Sequence, residues 1–169
     1  TNAILADAEG MVTIVDDDPV PTLLAQDVAV LEGNGSGEFK AILALTLSNP
    51  SFTPVTVEWG SVDASARAMV DYIGGSGILA FSPEEVRKEI PFAIVGNHLH
   101  ESDKQFYVTF SHVTNATLSA QRATVTIRND DALPPITIDD TTVVARCDGT
   151  TNATFRVHLS QPSGQIVYV

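Results

Sequence analysis

An internal repeat with a period of about 112 residues constrains the fold more than any other feature of the sequence. Thr1–Asp18 and Thr114–Asp131 share 9 of 18 residues, and Leu45–Val57 recurs as Val157–Val169. Self-similarity at a fixed period is typical of arrays in which each copy is one folded unit. Because the pattern stops in mid-strand at Val169, we expect a fragment of a longer tandem array. The repeat predicts the terminal strand of a preceding unit (1–18), a complete unit (19–131) and the first strands of a following unit (132–169).

Within the complete unit, apolar and polar residues alternate with a period of two, which is the pattern of half-buried β-strands. Turn signals rich in Gly, Asn and Pro separate these runs. Six to eight strands in about 110 residues are typical of a sandwich, so the sequence predicts an all-β, two-sheet antiparallel β-sandwich. The clearest alternating runs are Phe39–Leu47, Val55–Trp59, Phe106–Phe110 and Val125–Ile127.

The charge balance narrows the classes of function. The chain has 9 Lys and Arg against 21 Asp and Glu, a net charge of −12, which argues against binding to the phosphate backbone of nucleic acids. Hydrophobic residues make up 44% of the chain, too many for a disordered acidic tail. No apolar run is long enough to span a bilayer, so we expect no direct membrane insertion. A single cysteine, Cys147, excludes an internal disulfide and Cys-based metal clusters.

Several short motifs, in this order and spacing, resemble the Calx-beta family. They are Val30-Leu31-Glu32-Gly33, Leu45–Ser48, Asp71-Tyr72, Gly77–Pro83 and Val125–Asp131. Calx-beta repeats occur in the regulatory part of sodium–calcium exchangers, in integrin β4 and in many large surface and adhesion proteins. The resemblance implies an immunoglobulin-like sandwich whose partners are neighbouring Calx-beta repeats in the same or an adjacent chain.

The resemblance also implies a candidate calcium site, because calcium-binding members gather carboxylates at one end of the sandwich and Ca²⁺ prefers oxygen ligands. The family's ligand positions carry over to Glu32, Asp71, Glu101, Asp130 and Asp131 of the complete unit, and to Asp16, Asp17 and Asp18 at the junction of the preceding repeat.

Departures from the family pattern weaken this site. Gly96 and Asn97 stand where the acidic loop has its first two carboxylates, Lys104 replaces an acid, and Asn129 replaces the first terminal Asp. The sequence therefore predicts at most one weakly bound calcium ion, as a possible cofactor. The competing interpretation, in which these acids are solvated turn formers, is favoured.

Other candidate sites have weaker support. His98 and His100 lie two residues apart and could hold a transition metal, although loop histidines are usually just solvated. The sequence contains no nucleophile elbow, acid–base pair or phosphate-binding loop, so we expect no enzyme. The sequons at Asn34, Asn115 and Asn152 would suit glycosylation of a secreted protein.

Three hypotheses for the function follow. The first is a non-catalytic structural or adhesive module of a long extracellular or cell-surface protein, with weak or vestigial calcium binding at its junctions and an extracellular protein or glycan as ligand. The second is a calcium-sensing regulatory module of a transporter or signalling protein. The third is a filament subunit that exchanges strands with its neighbours, since the unpaired backbone groups of an exposed strand edge can form hydrogen bonds with another chain.

Overall fold

The computed structural model describes residues 2–169, except for the side chain of Glu38. In this part of the chain the regular structure consists of β-strands. They are β1 Thr22–Ala25, β2 Val28–Leu31, β3 Ser36–Leu47, β4 Val55–Asp63, β5 Ser76–Phe81, β6 Arg87–Val95, β7 Lys104–Thr114, β8 Thr117–Leu118, β9 Arg122–Arg128, β10 Ile136–Ile138 and β11 Val157–Leu159.

Nine of these strands form two packed sheets, which confirms the predicted all-β sandwich. One sheet has the order β6-β3-β1-β8 and the other has the order β2-β9-β7-β4-β5. Alternating residues of both sheets form the core, including Leu43, Leu45, Val57 and Val108, which are fully buried. All the buried core residues lie between Leu23 and Ile127, so one complete repeat contains its own core.

Two strand pairs depart from the purely antiparallel sheets that the sequence predicts. The first strand of the repeat is split at Gln26-Asp27: β1 pairs in parallel with β8, and β2 pairs in parallel with β9. The split lets one segment pair in both sheets: β1 lies between β3 and β8 in one sheet, and β2 is an edge strand of the other. It also fixes the position of Glu32, whose backbone N–H donates to the carbonyl of Arg128 at 2.9 Å. The end of β2 therefore lies beside the end of β9.

Residues 132–169, which the repeat predicts to begin another unit and which we call the following unit, start with the same strand pairing as the complete unit. In the complete unit Leu23 pairs with Leu47, and in the following unit Ile136 pairs with Leu159, at equivalent positions of the repeat. The hydrogen bond from the Ser48 N–H to the carbonyl of Thr22 likewise recurs between Ser160 and Pro135. Structure and sequence thus align the two units in the same register.

The segment predicted as the terminal strand of a preceding repeat is not a strand here. Residues 2–18 are exposed and lack regular structure, and Thr1 lies outside the described residues. A strand needs a neighbouring strand for its backbone hydrogen bonds, and this segment pairs with none within residues 2–169. Its apolar residues Val12 and Ile14 are 88% and 92% exposed. Its assignment to a preceding repeat, and the hypothesis of strand exchange, stay predictions.

Across the described residues, no helix has the length and apolar character that crossing a membrane would require.

Candidate cation site

Loops from both sheets meet at one end of the sandwich, which we call the acidic pole. Glu32 follows β2, Asp71 lies in the loop between β4 and β5, Glu101 precedes β7, and the last acids follow β9. The structure therefore brings together the five acids that the sequence predicts for the complete unit. The acidic pole consists of Glu32, Asp71, Glu101, Lys104, Asp130 and Asp131.

Asp71 is fixed by a short turn and is only 7% exposed. Its carboxylate Oδ2 accepts the backbone N–H of Arg67 at 2.8 Å, and its own N–H donates to the carbonyl of Arg67 at 2.8 Å. The next residue, Tyr72, anchors the turn because its ring stacks on Phe106, with centroids 3.7 Å apart. Its hydroxyl donates to Asp63 at 2.8 Å, and burial raises the pKa of Tyr72 to about 12.

Lys104, the first residue of β7, occupies the middle of the acidic pole. Its ammonium lies 2.7 Å from Oδ1 of Asp71 and also donates to Oε2 of Glu101. Burial opposes the charge on Lys104, but the two carboxylates outweigh it and raise its pKa above the ordinary value. Lys104 thus acts as an internal cation that binds two of the predicted calcium ligands.

Glu32 is the most deeply buried acid of the pole, at 4% exposure. The amide Nδ2 of Asn97 donates to its Oε1. Burial raises the pKa of Glu32 to about 7, helped by the charges of Glu101, Asp131 and Asp71 and opposed by Lys104. Asn97 therefore compensates a buried acid with a neutral donor, where another carboxylate would add repulsion.

No side chain fits at Gly96, where the family pattern has an acid. A Cβ at this position would lie 2.1 Å from the carbonyl oxygen of Gly33 and 2.6 Å from that of Glu32. Only glycine permits this close approach of two backbones. The loop between β6 and β7 therefore packs directly against the end of β2.

Asn129 also has a structural role that an Asp could not fill. Its Oδ1 accepts the N–H of Glu101 at 2.9 Å, and its Nδ2 donates to the carbonyl of Asp131 at 3.1 Å. A carboxylate at this position would accept the first bond but has no proton for the second. The ring of His100 also bonds to the carbonyl of Asp131, at 2.9 Å. Asn129 thus ties the end of β9 to the β6–β7 loop.

The last two acids differ in how they are satisfied. Oδ1 of Asp130 accepts the N–H of Gly33 at 3.1 Å. Oδ2 of Asp131 is buried and has no hydrogen-bond partner within the described part of the chain. A buried carboxylate oxygen without a donor is unfavourable, so the pole keeps an unmet demand for a proton donor or a cation.

Calcium does not fit the pole as it is arranged. Ca²⁺ takes six to eight oxygens, whereas the ammonium of Lys104 already binds two of the candidate carboxylates. Among residues 2–169, no three His, Cys, Asp or Glu side chains are grouped as a metal site, and this includes His98 and His100. Asp16, Asp17 and Asp18 are exposed, and only a local bond links them, from the N–H of Asp18 to Asp16 at 3.0 Å.

The start of the following unit covers part of the pole, at the junction where the sequence analysis expects it, although the sequence did not identify the residues in contact. The N–H of Gly164 donates to the carbonyl of His100 at 3.2 Å, and Nε2 of Gln165 donates to the hydroxyl of Ser102 at 2.8 Å. Ser163 forms an isolated parallel bridge with His100. A Cβ on Gly164 would lie 2.5 Å from Cγ of Glu101. Pole and following unit are therefore in direct contact.

Comparison with known proteins agrees with the sandwich. The family model described as Calx-beta domain matches residues 14–131. A solved structure of the apo-form Calx CBD1 domain is 21% identical, with a TM-score of 0.54, over 67% of this chain and 100% of that chain. A structure of the calcium binding domain CBD12 of CALX1.1 is 22% identical, with a TM-score of 0.57, over 70% of this chain and 50% of that chain.

A structure of CBD12 from CALX1.2 is also 22% identical, with a TM-score of 0.58, over 70% of this chain and 49% of that chain. The chain thus spans about half the length of the two CBD12 structures, and identities this low establish the fold alone. No curated protein matches the sequence.

Proposed function

Because the chain belongs to the Calx-beta domain family, we propose that it is a non-catalytic linking module of a tandem array, in which the acidic pole of one repeat binds the start of the next. The observation that carries this proposal is the contact of Ser163, Gly164 and Gln165 with residues His100–Ser102. The contact uses a backbone hydrogen bond, a side-chain hydrogen bond and the close approach of a glycine. Such a contact restrains the angle between two repeats.

Lys104 supports the linking role because it fixes the acid that faces the following repeat. Its ammonium binds Glu101, and Glu101 lies directly beneath Gly164. An ion pair at a partly buried position limits the rotamers that Glu101 can adopt. In this proposal the tethered cation keeps the docking surface in shape without a bound ion.

Hydrogen exchange tests the docking contact directly. Replacing Gly164 with Val should push the following unit off Glu101 and speed amide exchange at residues 98–102, by about tenfold or more for a cost of about 1.4 kcal/mol or more. Gly10→Val is the matched control, since nothing lies within 4 Å of Gly10. Unchanged exchange at residues 98–102 in Gly164→Val would refute the linking role.

A calcium-responsive regulatory module is the second candidate. Two observations favour it: the chain resembles in fold the calcium binding domain CBD12 of CALX1.1, and Oδ2 of Asp131 is buried without a partner among the described residues. The position of Lys104 between Asp71 and Glu101 opposes it. This candidate requires that the ammonium of Lys104 moves away from Asp71 and Glu101, so that calcium binds there as a weak cofactor.

A calcium titration separates the two candidates. The linking module predicts no heat of binding in calorimetry and no shift of the melting temperature between chelator and millimolar calcium. The sensor predicts a calcium-dependent rise in the melting temperature that is lost in Asp71→Asn. Asp16→Asn serves as the control, because Asp16 lies on the exposed segment outside the pole.

We place the module in an extracellular or cell-surface protein, with an extracellular protein or a glycan as the ligand of the array. The asparagines of all three sequons, Asn34, Asn115 and Asn152, are exposed and can be reached by the glycosylation machinery. Expression through a secretory pathway should give a product whose mobility changes on treatment with a glycosidase. Secretion without any mobility change would remove this support, and retention inside the cell would contradict the location.

A further inference from the structure

The loop that docks on the acidic pole has an equivalent in the complete unit. The repeat aligns Pro162–Gln165 with Pro50–Thr53, and the two β-pairings that precede these loops share one register. Asp16–Asp18 likewise aligns with Asn129–Asp131. If the array is regular, Pro50–Thr53 faces the pole of a repeat whose last residues are Asp16–Asp18.

The structure places this second loop as such a junction requires. Ser51 and Phe52 line a cleft of about 310 Å³ together with Asp18 and Pro19. The amide of Asn49 donates to the carbonyl of Pro19 at 2.8 Å, which holds the incoming segment against the loop. The loop therefore lies next to the acidic segment that is predicted to end a preceding unit, as Ser163–Gln165 lies next to the pole.

One residue differs between the two loops in a way that matters sterically. Phe52 stands where the following unit has Gly164, and its side chain is 81% exposed. At the observed junction even a Cβ would lie 2.5 Å from Cγ and 2.9 Å from Oε1 of Glu101. A phenyl ring docked on a pole that carries a glutamate in that position would therefore have to displace the glutamate side chain from its ion pair with Lys104.

We propose that Pro50–Thr53, with Phe52 at its tip, is the surface by which this repeat docks on the acidic pole of a preceding Calx-beta repeat, and that this partner pole has a small residue where this repeat has Glu101. Phe52 then determines which repeats can be neighbours. Its ring fits a pole that has a small residue at the position of Glu101 and clashes with a pole that has a glutamate there. This inference rests on the proposed linking function and extends it to the order of repeats.

The observed junction indicates which part of the preceding repeat contacts Pro50–Thr53. At that junction the docking loop donates one hydrogen bond to the backbone carbonyl of His100 and one to the hydroxyl of Ser102. The partner of Pro50–Thr53 should therefore offer the equivalent loop, between its sixth and seventh strands. Burying an aromatic ring in place of a glycine contact also adds apolar area, so this junction should be the tighter of the two.

A duplicated chain tests the proposal, because each complete repeat contains its own core. Residues 19–131 are followed directly by residues 19–169, with Cys147→Ser throughout. Ser102→Cys in the first copy and Thr53→Cys in the second reproduce the observed contact between Ser102 and Gln165. The readout is the rate of intramolecular cross-linking by a short bismaleimide. The positive control is the 169-residue chain with Ser102→Cys and Gln165→Cys.

Three duplicated chains are compared. With Phe52 facing Glu101 of the first copy, cross-linking should be at least about tenfold slower than in the control, for a steric cost of about 1.4 kcal/mol or more. Phe52→Gly in the second copy should restore the control rate. Glu101→Gly in the first copy, with Phe52 kept, should also restore it.

The outcomes distinguish the two proposals. If the positive control itself fails to cross-link, the linking function fails and this inference fails with it. If the control cross-links but Phe52 causes no slowing, or Glu101→Gly does not restore the rate, only this inference is overturned. Concentration-dependent dimers of the 169-residue chain that vanish in Phe52→Gly would assign the loop to a second copy and also overturn it.

Discussion

Two acidic segments that the repeat makes equivalent behave differently in the structure. Asp16–Asp18 is exposed and held only by a local turn, whereas Asn129–Asp131 is joined to two other loops, β2–β3 and β6–β7, at the end of a sandwich. The first segment has the more acidic sequence, but only the second is part of a defined cluster of hydrogen-bonded side chains. Carboxylates become a site only where strands bring them together, because convergence creates the burial and mutual repulsion that require compensation.

A cluster of acids suggests that a bound cation balances their charge, but at the pole this is done largely by groups of the protein itself. At the pole, a lysine, an asparagine amide and backbone N–H groups bind at least one carboxylate oxygen of Asp71, Glu101, Glu32 and Asp130. The compensation is incomplete at two acids: the pKa of Glu32 is still raised, and Asp131 has a buried oxygen without a partner. Changes at the pole should therefore alter stability strongly, and matched changes in the amino-terminal segment should not.

Gly96→Ala should have the largest effect. The added Cβ would meet the carbonyl of Gly33 at 2.1 Å, and two backbones must separate to relieve the contact. We expect a loss of about 3 kcal/mol or more in the free energy of unfolding, measured by urea denaturation. Gly10→Ala, with no neighbour within 4 Å, should change it by less than about 0.5 kcal/mol. Equal effects of the two substitutions would show that the pole is not tightly packed.

The pH dependence of stability should come next in size. The pKa of Glu32 is raised from 4.5 to about 7 in the folded state, so the folded chain holds this proton more tightly than the unfolded chain. Its contribution is therefore complete below pH 4.5 and is lost as the pH rises through 7. Relative to Glu32→Gln, the wild type should lose about 3 kcal/mol between pH 4.5 and pH 8. Parallel pH profiles of the two proteins in urea denaturation would contradict the shift.

Lys104→Met should cost about 2 kcal/mol in the free energy of unfolding. It removes the cation from Asp71 and Glu101, whose side chains are 10% and 19% exposed, and leaves two acids facing each other. The value is set below that of a fully buried pair because water reaches part of the site. The control is Lys88→Met, which breaks the more exposed pair with Glu85 and should cost far less. A loss in Lys104→Met no larger than that in Lys88→Met would contradict the role of an internal cation.

Alternation of apolar and polar residues predicted the sandwich and its core runs, and the resemblance to the Calx-beta family implied the five acids that the structure places at the pole. The sequence also identified Lys104 as a cation at the site. It did not predict the parallel pairing of β2 with β9, the donor role of Asn129 or the docking of Gly164 on Glu101. These features depend on distances between loops far apart in the chain, for which local patterns carry no signal.

Asn in place of Asp16, Asp17 and Asp18 together should have the smallest effect, although it removes three charges from a chain of net charge −12. Asparagine keeps the side-chain oxygen that accepts the N–H of Asp18, and the segment is exposed, so no buried group loses a partner. We expect a change of less than about 0.5 kcal/mol in urea denaturation, with any small gain from reduced repulsion fading in high salt. Asp71→Asn is the comparison at the pole and should cost more, because its acid is buried against Lys104. A loss of more than about 1 kcal/mol in the triple variant would mean that the segment is held by contacts of its own, and the contrast between the two acidic segments would fail.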